Sequence, residues 1–159
     1  MLKTHEIQTL SEEQTIELGC RIGRVLEPCD VVLLEGDLGT GKTRLAKGIV
    51  AAATGVSQDD VVSPTFTLIN RFDGDPPVHH ADLYRISADQ VHGIGLEDAL
   101  DERGALVVEW ADKLVDFAED HLRILILFAE EENARRIILE WSEHGPWANK
   151  LDAAAFPEE

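Results

Sequence analysis

Basic residues are scarce in this 159-residue chain. Fourteen Lys and Arg stand against 31 Asp and Glu, a formal net charge of −17. Bare nucleic acid is held largely through Lys and Arg contacts to phosphate, so the deficit argues against a free-standing nucleic-acid binder. It argues in the same way against docking on an anionic membrane surface. No apolar run approaches the roughly 20 residues that cross a bilayer. The N-terminal Met1-Leu2-Lys3-Thr4-His5-Glu6 lacks the apolar segment of a secretory signal, so a cytoplasmic location without a membrane anchor is expected. Cys20 and Cys29 have no CxxC or His-spaced partner and read as reduced thiols rather than zinc ligands. Repeats, low-complexity tracts and internal linkers are missing too. What remains is ordinary globular composition, 44% hydrophobic and 28% charged, at a length that can bury one core without staples. We expect one domain over residues 1–142 and an irregular tail over 143–159, where Pro146 and Pro157 fall.

Periodicity supplies the elements. Ser11-Glu12-Glu13-Gln14 reads as a capping box opening a helix with Leu18, Ile22, Val25 and Leu26 on one face. Pro28 ends it, and Val31-Val32-Leu33-Leu34 is a continuous apolar run of the kind found in a strand covered on both faces of a parallel sheet. A second helix follows a glycine-rich stretch, with Leu45, Ala46, Ile49, Val50 and Ala53 on one face and Gly55 as its C-terminal cap. Thr65 to Phe72 and Val78 to Leu83 read as a hairpin around Asp73-Gly74-Asp75-Pro76-Pro77. A short helical section near Gly95 to Leu100, the apolar run Ala105-Leu106-Val107-Val108, and a second hairpin (His121 to Phe128, Ala134 to Trp141) complete the chain. The alternation predicts an α/β three-layer domain with a mixed, largely parallel central sheet and added β-hairpins.

Gly36-Asp37-Leu38-Gly39-Thr40-Gly41-Lys42-Thr43 fits G-x-x-x-x-G-K-[ST] at every position. In such a P-loop the glycines let successive N–H groups turn inward around an anion. The helix that follows aims its N-terminal N–H groups and dipole at the same phosphates. Lys42 is expected to reach the β- and γ-phosphate oxygens, and the Thr43 hydroxyl to ligate Mg²⁺. The contacts to a nucleoside triphosphate are thereby expected from Asp37, Leu38, Gly39, Thr40, Gly41, Lys42, Thr43 and Arg44. A buried strand leads in and an amphipathic helix leads out, which is the setting the motif requires.

Hydrolysis also needs a held metal and a positioned water. Glu109 directly follows the run 105–108 and so emerges at the C-terminal end of a buried strand, the Walker B position with Glu in place of Asp. Asp82, ending another strand, is the second candidate carboxylate. In a chain with 31 acidic residues, either could instead be a solvated side chain. His79 and His80 are adjacent on a strand and point to opposite faces, so they read as packed or surface histidines rather than a metal pair. Trp110 reads as core more readily than as a base-stacking platform. Asn149-Lys150-Leu151-Asp152 matches the guanine-reading N-K-x-D, yet His144-Gly145-Pro146-Trp147-Ala148 precedes it instead of a buried strand, and no D-x-x-G follows a strand. The match reads as accidental.

The chain resembles the TsaE family, the small bacterial P-loop ATPases of the pathway that makes threonylcarbamoyladenosine (t6A) in tRNA. The likeness spans roughly residues 5 to 142. It rests on Glu35 to Thr43, Ser63-Pro64-Thr65-Phe66-Thr67-Leu68, His80-Ala81-Asp82-Leu83-Tyr84-Arg85 and Val108-Glu109-Trp110-Ala111-Asp112, in that order. The resemblance implies phosphate and catalytic roles for Lys42, a switch-like role for Thr65 near Mg²⁺ and the γ-phosphate, and positioning of the attacking water by Asp82. It further implies that Glu109 serves the magnesium and that Trp110 lies close to the nucleotide. Arg85 is as readily a structural ion-pair partner as a transition-state residue. The family is expected to act on a complex of two partner proteins, TsaD and TsaB, with tRNA met only through that complex. The acidic surface then suits docking to a basic partner or serves solubility alone.

The leading reading is an Mg²⁺-dependent ATPase subunit, slow on its own. A small-molecule kinase is the first alternative, but the chain has no Arg-rich lid beyond Arg135-Arg136, which fall in a predicted strand. A nucleotide-gated assembly module without hydrolysis is the second, and a GTPase a distant third.

Overall fold

The computed structural model describes the chain except residues 65–67, 115, 116, 119 and 154–159. Seven strands form one sheet, β1 (Leu2–Thr9), β2 (Val31–Glu35), β3 (Ile69–Phe72), β4 (Val78–Asp82), β5 (Ala105–Glu109), β6 (Leu122–Phe128) and β7 (Arg135–Ser142). The helices are α1 (Glu12–Arg24), α2 (Lys42–Thr54), α3 (Leu96–Asp101) and α4 (Trp147–Ala153). The spatial order is β1-β7-β6-β2-β5-β4-β3. Strands β6, β2, β5 and β4 run parallel at the centre, while β7 turns back on β6 and β3 on β4, as the two expected hairpins. This is the mixed α/β sheet that the alternation predicts, with the glycine-rich motif after β2 where a P-loop NTPase-like domain carries it.

The centre of the sheet is covered on both sides, and β2 shows why a continuous apolar run is needed there. Val32 and Leu34 pack with Leu45 and Ile49 of α2, whereas Val31 and Leu33 pack on the other face with Leu96 and Ala99 of α3. On the β6 side only one face is closed. Leu122, Ile124 and Ile126 are buried while the residues between them are partly exposed. Helix α1 begins where expected. The Ser11 hydroxyl accepts from the Gln14 N–H at 3.1 Å, and the Gln14 side chain accepts from the Leu10 N–H at 2.7 Å, one residue before the usual capping-box partner.

Helices α1 and α2 meet through glycine. A Cβ on Gly19 would run into the Leu45 carbonyl oxygen, and one on Gly48 into that of Ile16. The two backbones therefore approach more closely than side chains would allow.

Two regions depart from expectation. Leu2–Thr9 is an edge strand pairing antiparallel with β7, although only Ile7 and Thr9 of it are buried. Part of the expected irregular tail is helix α4, whose Trp147 and Leu151 enter the core. Pro146 immediately precedes this helix, a place where its missing N–H costs nothing. The strand expected from Thr65 begins at Ile69 among the described residues.

Candidate functional site

Parallel strands end on one edge, and there β2, β5 and β4 deliver their functional residues side by side. After Glu35 the chain enters the glycine-rich loop, with Gly39 at φ 85° and Gly41 at φ 111°. These left-handed conformations are what an L side chain resists, and they turn the loop into α2, which starts at Lys42. The Thr40 hydroxyl donates to the Asp37 carbonyl at 2.9 Å, closing the loop on itself. The loop lines a cleft of about 450 Å³ together with Asp82, Glu109 and Trp110.

Lys42 is 5% exposed. Its ammonium donates to the carbonyls of Gly36 at 2.5 Å and Asp37 at 2.9 Å, and lies 4.0 Å from the Trp110 ring centroid. Burial pushes its pKa below the ordinary lysine value, with Glu109, Asp82, Asp37 and Asp112 pulling the other way. The cation is thus held by neutral dipoles and a π face, with carboxylates near it but none of the described ones ion-paired to it.

Three oxygen groups converge beside it. The Thr43 hydroxyl donates to Glu109 Oε1 at 2.8 Å and lies 3.0 Å from the Ser63 hydroxyl, which is 3.4 Å from Glu109 Oε2. Two hydroxyls and a carboxylate are hard oxygen donors, the set a magnesium ion takes alongside phosphate and water. The residues present fit that ion. Asp82 stands opposite Glu109 in the β4–β5 register. Its Oδ1 accepts from the Tyr84 N–H at 2.9 Å. Burial chiefly raises its pKa, and the charge of Glu109 adds to this.

The structure thus brings together most of the residues that the sequence picks out. Lys42, Thr43, Asp82, Glu109 and Trp110 share the cleft with Leu38, Gly39, Thr40, Gly41 and Arg44. Arg44 also approaches Glu12 at 3.3 Å. Asp37 contributes its main-chain carbonyl to Lys42 and Thr40. Thr65 lies outside the described residues. Arg85 lines a smaller cavity of about 120 Å³ with Ser63, Leu68 and Asp82. Trp110 is no ordinary core residue. It has φ 58°, meets Tyr84 in a tilted ring contact at 4.8 Å between centroids, and faces the cleft.

Three supporting residues escaped the sequence reading. Arg135 of β7, passed over as a strand residue, donates to the carbonyls of Thr40 at 2.8 Å and Gly39 at 3.4 Å, bracing the phosphate loop from the side. Lys113 donates to the carbonyls of Leu83, Tyr84 (2.8 Å) and Ile86 (2.6 Å), so one ammonium organises the turn after Asp82. His80 is fully buried and places Nε2 2.5 Å from Glu109 Oε2. The spacing of His80 and Asp82, two apart on one strand and so on one face, was the available signal for the last. Lys150 of the N-K-x-D match bonds both Asp30 oxygens at 2.6 Å, at the opposite end of β2 from the cleft.

Comparison with known proteins gives the chain a family. Residues 9–138 match the model of the family described as threonylcarbamoyl adenosine biosynthesis protein TsaE. A Nostoc protein named tRNA threonylcarbamoyladenosine biosynthesis protein TsaE is 36% identical over 126 residues, 76% of each chain. A Bacillus subtilis protein of the same name is 35% identical over 82% of each. The crystal structure of Bacillus subtilis YdiB superposes with a TM-score of 0.75 at 28% identity, covering 98% of this chain and 96% of that one. With a family model matched over most of its length, relatives 35–36% identical over three quarters or more of it, and a shared fold, this chain belongs to the TsaE family.

Proposed function

We propose that this chain is the Mg²⁺-dependent ATP-binding and ATP-hydrolysing subunit of t6A modification of tRNA, acting on a complex of TsaD and TsaB. The observation that carries the reading is the Thr43–Glu109 contact beside a Lys42 held on neutral carbonyls. A lysine so placed can transfer its hydrogen bonds from those carbonyls to phosphate oxygens without breaking an ion pair. Thr43 and Glu109 would hold the magnesium, which supplies charge neutralisation on the phosphate oxygens when bound. Asp82, at the end of the neighbouring strand, would accept a hydrogen bond from the attacking water and orient it. Trp110 and Tyr84 would cover the nucleotide side of the cleft. Turnover by the chain alone would be slow, with partner docking completing the site. A surface at −17 is suited to meeting tRNA only through its partners.

ATP and GTP turnover, measured with Mg²⁺ alone and after addition of purified TsaD and TsaB, tests the reading with Lys42→Ala as control. Stimulated, ATP-selective turnover lost in Lys42→Ala is expected. Turnover indifferent to the partners but raised by a small-molecule acceptor would make the chain a kinase. Modification that survives in a hydrolysis-dead Asp82→Asn would make it a nucleotide-gated assembly module.

A further inference from the structure

We propose that His80 is a positioning residue, which anchors one oxygen of the buried Glu109 carboxylate so that the other faces Thr43. The proposal rests on the reading of Thr43 and Glu109 as the metal-holding corner.

Glu109 is 2% exposed and uses both oxygens. Oε1 takes the Thr43 hydroxyl at 2.8 Å, and Oε2 takes His80 Nε2 at 2.5 Å, with the Ser63 hydroxyl farther off at 3.4 Å. A glutamate has three rotatable side-chain bonds, and fixing one oxygen removes most of that freedom. His80 is suited to the task because its strand β4 is hydrogen-bonded to β5, which carries Glu109. Its ring has no exposure and cannot swing away.

The alternative is a histidine that merely fills space, and its other nitrogen argues against that. Nδ1 is buried with no hydrogen-bond partner among the described residues. An unsatisfied buried polar atom is costly, whereas a phenylalanine of similar shape would avoid the cost. The bond to Glu109 is the return on it. Arginine or lysine could also hold the carboxylate, but their fixed charge would cancel the one the cation needs. A ring nitrogen can donate without a full charge. Loss of a hydrogen-bond partner behind a metal ligand typically costs about 10–100-fold in metal affinity.

The test is Mg²⁺ titration into the full chain preloaded with a fluorescent, non-hydrolysable ATP analogue, beside analogue binding in EDTA. His80→Phe fills the volume without a donor, His80→Leu removes the ring, and His80→Gln restores an N–H. Circular dichroism confirms folding. We expect Mg²⁺ affinity to fall about tenfold or more in His80→Phe and His80→Leu and to recover in part in His80→Gln. Analogue affinity in EDTA should stay within about twofold of the parent. Should His80→Phe fail to fold, the order of Gln above Leu carries the test, and equal values overturn the proposal. A parent-like Mg²⁺ affinity in His80→Phe overturns it as well. If the parent itself shows no Mg²⁺ effect, the metal-corner reading falls and the proposal with it, an outcome distinct from a failure of His80 alone.

Discussion

At each end of β2 a lysine with little exposure lies near a tryptophan ring, and the two lysines are used in opposite ways. Before the strand, Lys150 sits 5.1 Å from the Trp147 ring centroid and closes on both oxygens of Asp30, with Glu27 at 3.3 Å. After the strand, Lys42 sits 4.0 Å from the Trp110 ring and donates to main-chain carbonyls. The first ammonium is neutralised and ties α4 to the sheet. The second keeps its charge unspent beside two strand-end carboxylates, a state that burial disfavours. Buried charge alone does not distinguish scaffold from site. Whether a counter-charge already occupies the lysine does.

The comparison breaks most visibly under exchange of the two lysines. Lys150→Ala should leave Asp30 buried and unpaired and lower unfolding free energy by about 3–5 kcal/mol, measured in urea, with nucleotide affinity of the folded fraction unchanged. Adding Asp30→Asn should recover much of that loss. Lys42→Ala should weaken nucleotide binding roughly a hundredfold while stability holds or rises, read by calorimetry and thermal melts. Comparable losses of stability in both would erase the distinction.

A smaller effect sharpens it through pH. Because the Asp82 pKa is raised in the fold, its contribution to stability is fully present below the unfolded carboxylate pKa. It is lost as pH rises through the folded value. Asp82→Asn should therefore melt higher than the parent at neutral pH, and the gap should close as pH falls toward the ordinary aspartate range. A constant gap across that window would show that the charge is not the cause. Smallest of all, Arg135→Lys cannot reproduce the two-carbonyl brace on Thr40 and Gly39. It should weaken nucleotide affinity about three- to tenfold, seen as faster dissociation in stopped flow.

Legibility in the sequence followed the same division. The phosphate loop could be read outright because a single local segment carries all its parts. Glu109 could be read because it ends a continuous apolar run, which only a strand covered on both faces needs, and Asp82 because it ends a second, merely apolar-leaning strand. The edge strand β1 gave no such run: it packs on one side, with only Ile7 and Thr9 buried. Helix α4 was masked by Pro146, a breaker within a helix but neutral at its start. Arg135, Lys113 and His80 meet partners some 30 to 95 residues away in the chain, a proximity set by strand order and invisible to local pattern.

The glycine seam between α1 and α2 has a consequence for how news of a bound phosphate could spread. Side chains at most helix contacts act as cushions that absorb small displacements by changing rotamer. Here backbone rests on backbone, with Gly19 and Gly48 leaving nothing to yield. Any movement that phosphate imposes on the start of α2 must be shared by α1 as if the pair were one casting. Helix α1, whose Glu12, Glu13 and Gln14 are exposed, would then carry that movement to the protein's surface.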